Sequence, residues 1–298
     1  MDRRRFICAG AGSLLLAHGL AGCASSPAAA PWERRLQGDT LALLGEVHDN
    51  AELHGLRFAV LQRAVEHGWR PALVMEQFDI DRQADIERAR RERPHDPRHL
   101  IAQAGPARGW PWPHYLPAVA LALRFELPLH AGNLPRAQAS RLVRESADTV
   151  FGADRARALG LDAPLDTAWQ AAHEREIGDS HCGVLPQRLW PGMARAQVAR
   201  DAVMADVLQR RAAPGAVLLA GNGHVRRDIG VPRWLAGVAP QRLLVVGFVE
   251  KGDAGEEASP SPRFDTRVLA APARREDPCA ALRKRPIAGA PGGPWEPS

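Results

Sequence analysis

Thr40-Leu41-Ala42-Leu43-Leu44-Gly45-Glu46-Val47-His48-Asp49-Asn50 opens the regular part of this chain. The run 40–44 is short, apolar and unbroken, which suits a strand covered on both faces rather than one with a wet side. Glycine stops it, and Glu46 and His48 follow at once. Residues 51–67 then place Leu53, Leu56, Val60, Leu61 and Val65 at helical spacing, with Gly68 as the stop. The unit repeats. Residues 72–75 read as a second apolar strand and 80–91 as a charged helix. Residues 115–126 form a third helix and 127–131 a third strand. Residues 135–146 and 193–211 are helical, 216–220 and 243–248 are strands, and 264–269 adds an edge strand. Such alternation predicts an α/β fold, with a mostly parallel β-sheet flanked by helices. Two long interruptions, 94–117 and 152–191, are expected to form a lid of helices and loops.

The residues just past each strand carry the chemistry. They are Glu46 and His48, then Glu76, then Asn133, then His224 in Gly221-Asn222-Gly223-His224. In an open parallel sheet the carboxyl ends share one edge, where ligands bind. These residues are therefore expected to converge. Gly45, Gly221 and Gly223 are expected to let the backbone turn sharply and approach a ligand.

The N-terminus reads as an export signal. Arg3, Arg4 and Arg5 precede a short apolar core over residues 7–20, and Leu20-Ala21-Gly22-Cys23 matches a bacterial lipobox. The core is shorter than the roughly 20 residues of a spanning helix. Lipidation of Cys23 would tether the mature chain to a membrane. Residues 2–7 also resemble a twin-arginine signal, leaving the export route open. The domain expectation is a signal peptide at 1–22, a lipidated linker at 23–36, a ligand-binding α/β domain at 37–250 and a partly disordered C-terminal extension at 251–298. Ala24 after the lipid cysteine lacks the aspartate that often retains lipoproteins at the inner membrane. The expected location is the bacterial envelope, on the periplasmic side of the outer membrane.

The net charge of +5 falls to about +3 without the signal. Of 39 Lys+Arg only Lys251 and Lys284 are lysines, and the arginines are scattered among acids. No nucleic-acid footprint results. Cys182 and Cys279 remain in the mature domain, either as one disulfide or as two free thiols.

The motifs LLGEVHDN (43–50), VMEQFD (74–79), NLPR (133–136), HCG (181–183) and GNGHVRRDIGVP (221–232) together resemble the ChaN-type haem-binding lipoproteins of the Tiki/erythromycin-esterase-like superfamily. The resemblance runs from about residue 41 to 248. It implies an α/β fold, a homodimer holding two haems face to face, and a role in haem or iron uptake at the envelope, with an outer-membrane haem receptor as a partner. A porphyrin needs an apolar slot and an axial ligand. Tyr115, the single tyrosine, is the first ligand candidate, since a phenolate suits ferric iron, and Trp110 and Trp112 stand beside it. His114 and His181 compete with it. Arg124, Arg200 and Arg226 are candidate propionate partners. Met193, Gln197, Arg200 and Met204 share one helix face that is expected to line the site. Two other functions fit the same residues. Glu46, His48, Glu76 and His224 are usual ligands for a divalent metal, or His48 is a general base oriented by Glu46 or Glu76, as in a hydrolase. Alternatively the polar edge is purely structural, holding the strand ends by buried hydrogen bonds.

Overall fold

The computed structural model describes residues 30–106, 109–211, 214–252, 262–277, 279–280 and 283. The signal sequence, Cys23 and the last dozen residues lie outside them. Six strands form one sheet in the order β3-β2-β4-β1-β5-β6, with every pair parallel. They are β1 Leu41–Leu44, β2 Ala72–Asp79, β3 Leu129–Asn133, β4 Ala216–Leu219, β5 Leu243–Glu250 and β6 Thr266–Ala270. The helices are α1 Ala51–Glu66, α2 Gln83–Glu92, α3 Pro97–Ala104, α4 Trp112–Arg124, α5 Arg136–Leu142, α6 Ala147–Phe151, α7 Ala153–Ala158, α8 Thr167–Ser180, α9 Trp190–Arg211 and α10 Asn222–Val225.

Side-chain alternation sorts the sheet into two cores. Ala42, Leu44, Leu73, Met75, Val217 and Leu219 pack beneath α1 and α4, together with Leu53, Val60, Val119 and Ala122. Leu41, Leu43, Ala72, Val74, Ala216 and Leu218 face the other way, onto Met204, Val207 and Leu208 of α9. Every residue of β1 and β4 is buried. Burying each such Leu or Val stabilises the fold by roughly 1.5–3 kcal/mol. Movement from β1 to β2 to β3 runs one way along the sheet and the return through β4 and β5 the other. Right-handed crossovers therefore place α1–α4 on one face and α9 on the opposite face. No helix among the described residues is long and apolar enough to cross a membrane.

The ordered structure extends past both expected domain boundaries. Leu36 is buried, Trp32 packs on the core, and Glu33 accepts a 2.7 Å bond from Arg63 of α1. At the other end β6 joins the sheet edge, and the chain after it lies against the strand ends. Asn50, which caps α1 through Leu53 N (3.0 Å), donates to Glu250 (2.7 Å) and to the Ala271 carbonyl (2.9 Å). Arg275 reaches both Glu250 (2.5 Å) and Asp49 (2.7 Å). Cys279 then closes a disulfide with Cys182 at the end of α8, 97 residues away in sequence. Residues 271–277 thus form a strap tied to the loop after β1, and Cys279 is tied to the end of α8.

Disulfides are typically worth about 2–4 kcal/mol, and chain entropy puts a loop of that length at the upper end, about 4.7 kcal/mol. Cys279→Ser is expected to lower the melting temperature accordingly, and alkylation without reductant should leave both wild-type cysteines unlabelled. Labelling of either thiol in the oxidised protein would contradict the bridge.

Candidate functional site

The loops after β1 and β4 lie side by side at the carboxyl edge. Asn222 N donates to Glu46 O (2.9 Å), which extends the β1–β4 pairing beyond the strands. Close approach, rather than a left-handed backbone, explains two of the glycines. Gly45, Gly221 and Gly223 do not have positive φ. A Cβ on Gly45 would meet Asn222 Oδ1 at 2.1 Å, and one on Gly221 would meet His48 Cε1 and Nε2 at 2.9 and 3.0 Å. Gly223 has open space around it.

Glu46 is the centre of the first polar cluster. Its side chain has no exposed surface. Oε1 accepts from Tyr115 OH (2.5 Å), from His48 Nδ1 (2.8 Å) and from Gln77 Nε2 (3.3 Å). Oε2 forms an ion pair with Arg57 Nη1. Burial pushes the carboxyl up, but Arg57, helped by His48 and His54, outweighs it and holds the group at about 2. Arg57 Nη2 donates to His54 Nδ1 (3.1 Å), so the His54 Nε2 proton goes to the His48 carbonyl (3.0 Å). Burial and the Arg57 charge keep His54 neutral, with its pKa lowered to about 4. His48 differs from all of these: its side chain is 46% exposed. Trp110 stands edge-on to its ring, with centroids 5.0 Å apart.

A second cluster occupies the other face of the sheet. Glu76 Oε2 accepts from Gly221 N (2.7 Å), and His224 Nε2 lies 3.5 Å from Oε1. His224 Nδ1 is 2.6 Å from Asp201 Oδ1 on α9. Burial raises Asp201 to about 6, although His224 opposes the shift. Burial also opposes the charged form of His224, but Glu76 and Asp201 raise it on balance. Arg200, one residue earlier, donates to Asn133 Oδ1 (2.5 Å) and to the Leu134 carbonyl (3.3 Å). Glu46, His48, Glu76, Asn133 and His224 therefore do meet at one edge, on both sides of it.

The ligand candidates are placed differently from expectation. Tyr115 is fully buried, and its hydroxyl is committed to Glu46. Burial and the neighbouring carboxylate push the phenol up, against phenolate formation. In this arrangement it is a support for Glu46 and not an available axial ligand. Met204 is fully buried in the α9 core and lines no open site. His114 is half-buried and stacks on His54 at 4.8 Å. His181 turns Nδ1 back to the Ile177 carbonyl (2.8 Å), ending α8. Arg226 is held by Glu176 and Asp228, and Arg124 sits over Phe125 at the far end of α4. Among the described residues no three His, Cys, Asp or Glu side chains are grouped to hold a metal ion, so the four-residue divalent-metal site is not formed. Glu76 and Asn133 also lie inside β2 and β3, because both strands run longer than their apolar cores.

The insertions flank this edge. Residues 94–117 contribute α3 and the Trp110–Tyr115 segment. Residues 152–191 contribute α8, whose His173 Nε2 donates to the Ile229 carbonyl (3.0 Å) beside the His224 loop. Sequence reading missed His54, Arg57, Gln77 and Asp201. A signal for Arg57 existed: with Leu53, Val60 and Leu61 it occupies i, i+4, i+7 and i+8 of one apolar stripe. An arginine there must be buried with a counter-charge.

Arg57→Met is expected to cost about 3–5 kcal/mol, because it strands a buried carboxylate. A loss below 1 kcal/mol in denaturant unfolding would refute that pairing. The pH dependence follows from the lowered groups. His54 contributes stability that is full above pH 6.5 and is lost as pH falls towards 4. Glu46 contributes stability that is full above pH 4.5 and is lost towards pH 2. Melting curves of His54→Gln should fall less steeply than wild type between pH 6.5 and 4; parallel curves would contradict the assignment.

No curated protein matches the chain in sequence. Among solved structures, the fold is similar to ChaN of Campylobacter jejuni, described as binding haem cofacially. The TM-score is 0.59 at 19% identity, over 73% of this chain and 84% of that one. An erythromycin esterase, EreC, in its open conformation is more distant, with a TM-score of 0.42 at 16% identity over 73% and 71%. Residues 32–235 match the family described as haem-binding uptake, Tiki superfamily, ChaN, and the chain belongs to that family.

Proposed function

We propose that this protein binds haem at the carboxyl edge of its sheet and serves haem or iron uptake at the bacterial envelope. The observation that carries the reading is the family match over residues 32–235, which contain Glu46, His48, Trp110, Tyr115 and His224. The donor set suits the group. An exposed imidazole with a carboxylate behind it is a fit partner for haem iron, and a tryptophan beside it supplies apolar surface. Haem bound there would supply an iron centre. His48 and Trp110 would contact the macrocycle, while Glu46, Arg57 and Tyr115 hold His48 in place.

At the edge His48 is the accessible member of the cluster, with 46% of its side chain exposed. Two surface depressions, one lined by His95, Pro97, Ala120, Leu123 and Arg124, the other flanking β3 by Gln83, His130 and Val203, share no residue with it. A porphyrin seated beside His48 would keep one apolar face uncovered by its own chain. A homodimer with its two haems face to face covers both, in keeping with the cofacial binding described for the Campylobacter jejuni protein. Lipidation at Cys23 places the pair on the periplasmic side of the outer membrane, where a haem receptor would deliver its cargo.

The test is haemin titration of residues 24–298, followed by absorbance and by mass in solution. Saturable binding with a shifted Soret band, and a dimer at one haem per chain, is the expected result. An unchanged spectrum would overturn the reading and direct attention to His48 as a general base oriented by Glu46. The anchor is tested separately: Cys23→Ser should abolish labelling by radioactive palmitate and release the protein from the membrane fraction.

A further inference from the structure

We propose that the amino edge of the sheet is a docking surface for the anionic phospholipid headgroups of the membrane that carries this protein. The inference rests on the envelope reading above, and its test does not need the lipid anchor.

The chain enters the fold at this edge. All strands are parallel, so their amino ends lie together, and α1, α4 and α9 run back to end there. Ala30 N donates to Glu33 Oε1 (3.1 Å), and Glu33 pairs with Arg63 in the last turn of α1. Arg35 Nη2 donates to the Leu243 carbonyl (3.0 Å) at the start of β5. The seven residue steps from Cys23 to Ala30 span at most roughly 25 Å. A lipidated Cys23 therefore keeps the amino edge near the bilayer. Reach alone does not choose the face that lies down, because α1, with 16 residues, is only about 24 Å long. Charge makes the choice.

Most acids of this edge are spent. Glu33 pairs with Arg63, Asp39 with Arg242 and Asp265 with Arg227. Several arginines are left over. Arg70 and Arg124 are exposed, and both stand over the ring of Phe125, each 5.1 Å from its centroid. Arg70 donates to the carbonyls of Val65 (2.6 Å) and Trp69 (3.0 Å), and neither guanidinium has an ion pair among the described residues. At the end of α9, Arg155 and Arg210 share one oxygen of Asp206, at 2.5 and 2.8 Å. Two cations there meet one anion. Arg211 beside them is exposed, and its charge adds to burial in holding His130 of β3 down at about 4. Against these stand Glu66, bonded to Gln62, and Glu126. The exposed surplus is positive.

Guanidinium suits this partner, since its planar fork pairs two donors with phosphate oxygens. A basic residue close to an anionic lipid surface strengthens partitioning by about fivefold. Docking by the amino edge turns His48 and the carboxyl edge away from the bilayer, so that the haem-binding side faces water.

The experiment mixes unlipidated residues 24–298 with vesicles of phosphatidylcholine, with and without phosphatidylglycerol, and measures the sedimented fraction. Four proteins are compared on their melting temperatures and binding: wild type, Arg124→Gln with Arg211→Gln, Arg136→Gln with Arg188→Gln, and Cys23→Ser in the full chain for the anchor. Arg136 and Arg188 follow β3 and precede α9, at the carboxyl edge, so that pair removes equal charge from the opposite side. Wild type should bind only the vesicles with phosphatidylglycerol. Raising salt from about 0.1 M to about 1 M, which shortens the Debye length from about 10 to about 3 Å, should release it. The amino-edge pair should weaken binding by at least about tenfold with an unchanged melting temperature, and the carboxyl-edge pair should leave it intact. No binding, binding indifferent to phosphatidylglycerol or salt, or equal losses in the two pairs would overturn the proposal. Unchanged palmitate labelling and membrane retention in Cys23→Ser would remove the anchor reading alone, because vesicle binding is measured without the lipid.

Discussion

The Glu46–Arg57 ion pair is the constraint on which the carboxyl edge depends. A carboxylate with no solvent contact would ordinarily be protonated or absent, because desolvation of an anion costs several kcal/mol. Here α1 brings a guanidinium to one oxygen, and three donors from three different elements converge on the other. The charge is thereby kept, with a pKa near 2. Each partner is fixed in turn. Arg57 orients His54, and His54 holds the His48 carbonyl. The loop that carries His48 is thus tied at its backbone as well as its ring. Buried pairs of this kind seldom add net stability over apolar side chains of similar volume. What this one supplies is geometry.

Topology explains why the edge carries two clusters. Crossover handedness puts α1 and α4 on one face of the sheet and α9 on the other, so side chains leaving β1 and β2 at alternate positions find different helices. Glu46 meets Arg57 and Tyr115; Glu76 meets His224, with Asp201 and Arg200 behind it. Residues 271–277 hold the loop after β1 through Asn50, Asp49 and Glu250, and Cys279 is bridged to the end of α8. Elements on both faces are joined at the same edge without any apolar layer crossing it.

Much of this was legible in the residues. The strands read correctly because a parallel sheet covered on both faces demands unbroken apolar runs. Convergence of Glu46, His48, Glu76 and His224 followed from parallel topology alone. The rest failed for identifiable reasons. Tyr115 read as a ligand because a residue type shows its chemistry but not its burial; the partner that claims its hydroxyl lies 69 residues away. Met204 shared a helix face with Arg200, yet at i+4 the stripe had already turned into the α9 core. Glu76 sat inside a strand because apolar content stops at Met75 while the β2 pairing continues to Asp79. The Cys182–Cys279 pairing depends on where α8 ends relative to the strap, which no spacing encodes.

The two carboxylate–imidazole pairs of this edge are not equivalent, and their difference is electrostatic. Glu46 has a permanent cation against it and stays ionised well below neutral pH, so its histidine faces a fixed negative charge. Asp201 has Arg200 nearby, but the guanidinium is turned to Asn133 and Leu134, and Glu76 adds a second negative charge. Desolvation there is not fully offset, and the carboxyl rises to about 6. That pair is buried, behind an imidazole with little exposure. One cluster carries a half-exposed imidazole, with 46% of the His48 side chain accessible; the other is buried, with 14% of His224 accessible. The asymmetry follows from a single difference in sequence position: an arginine inside the apolar stripe of α1, against one beside, rather than facing, its acid on α9.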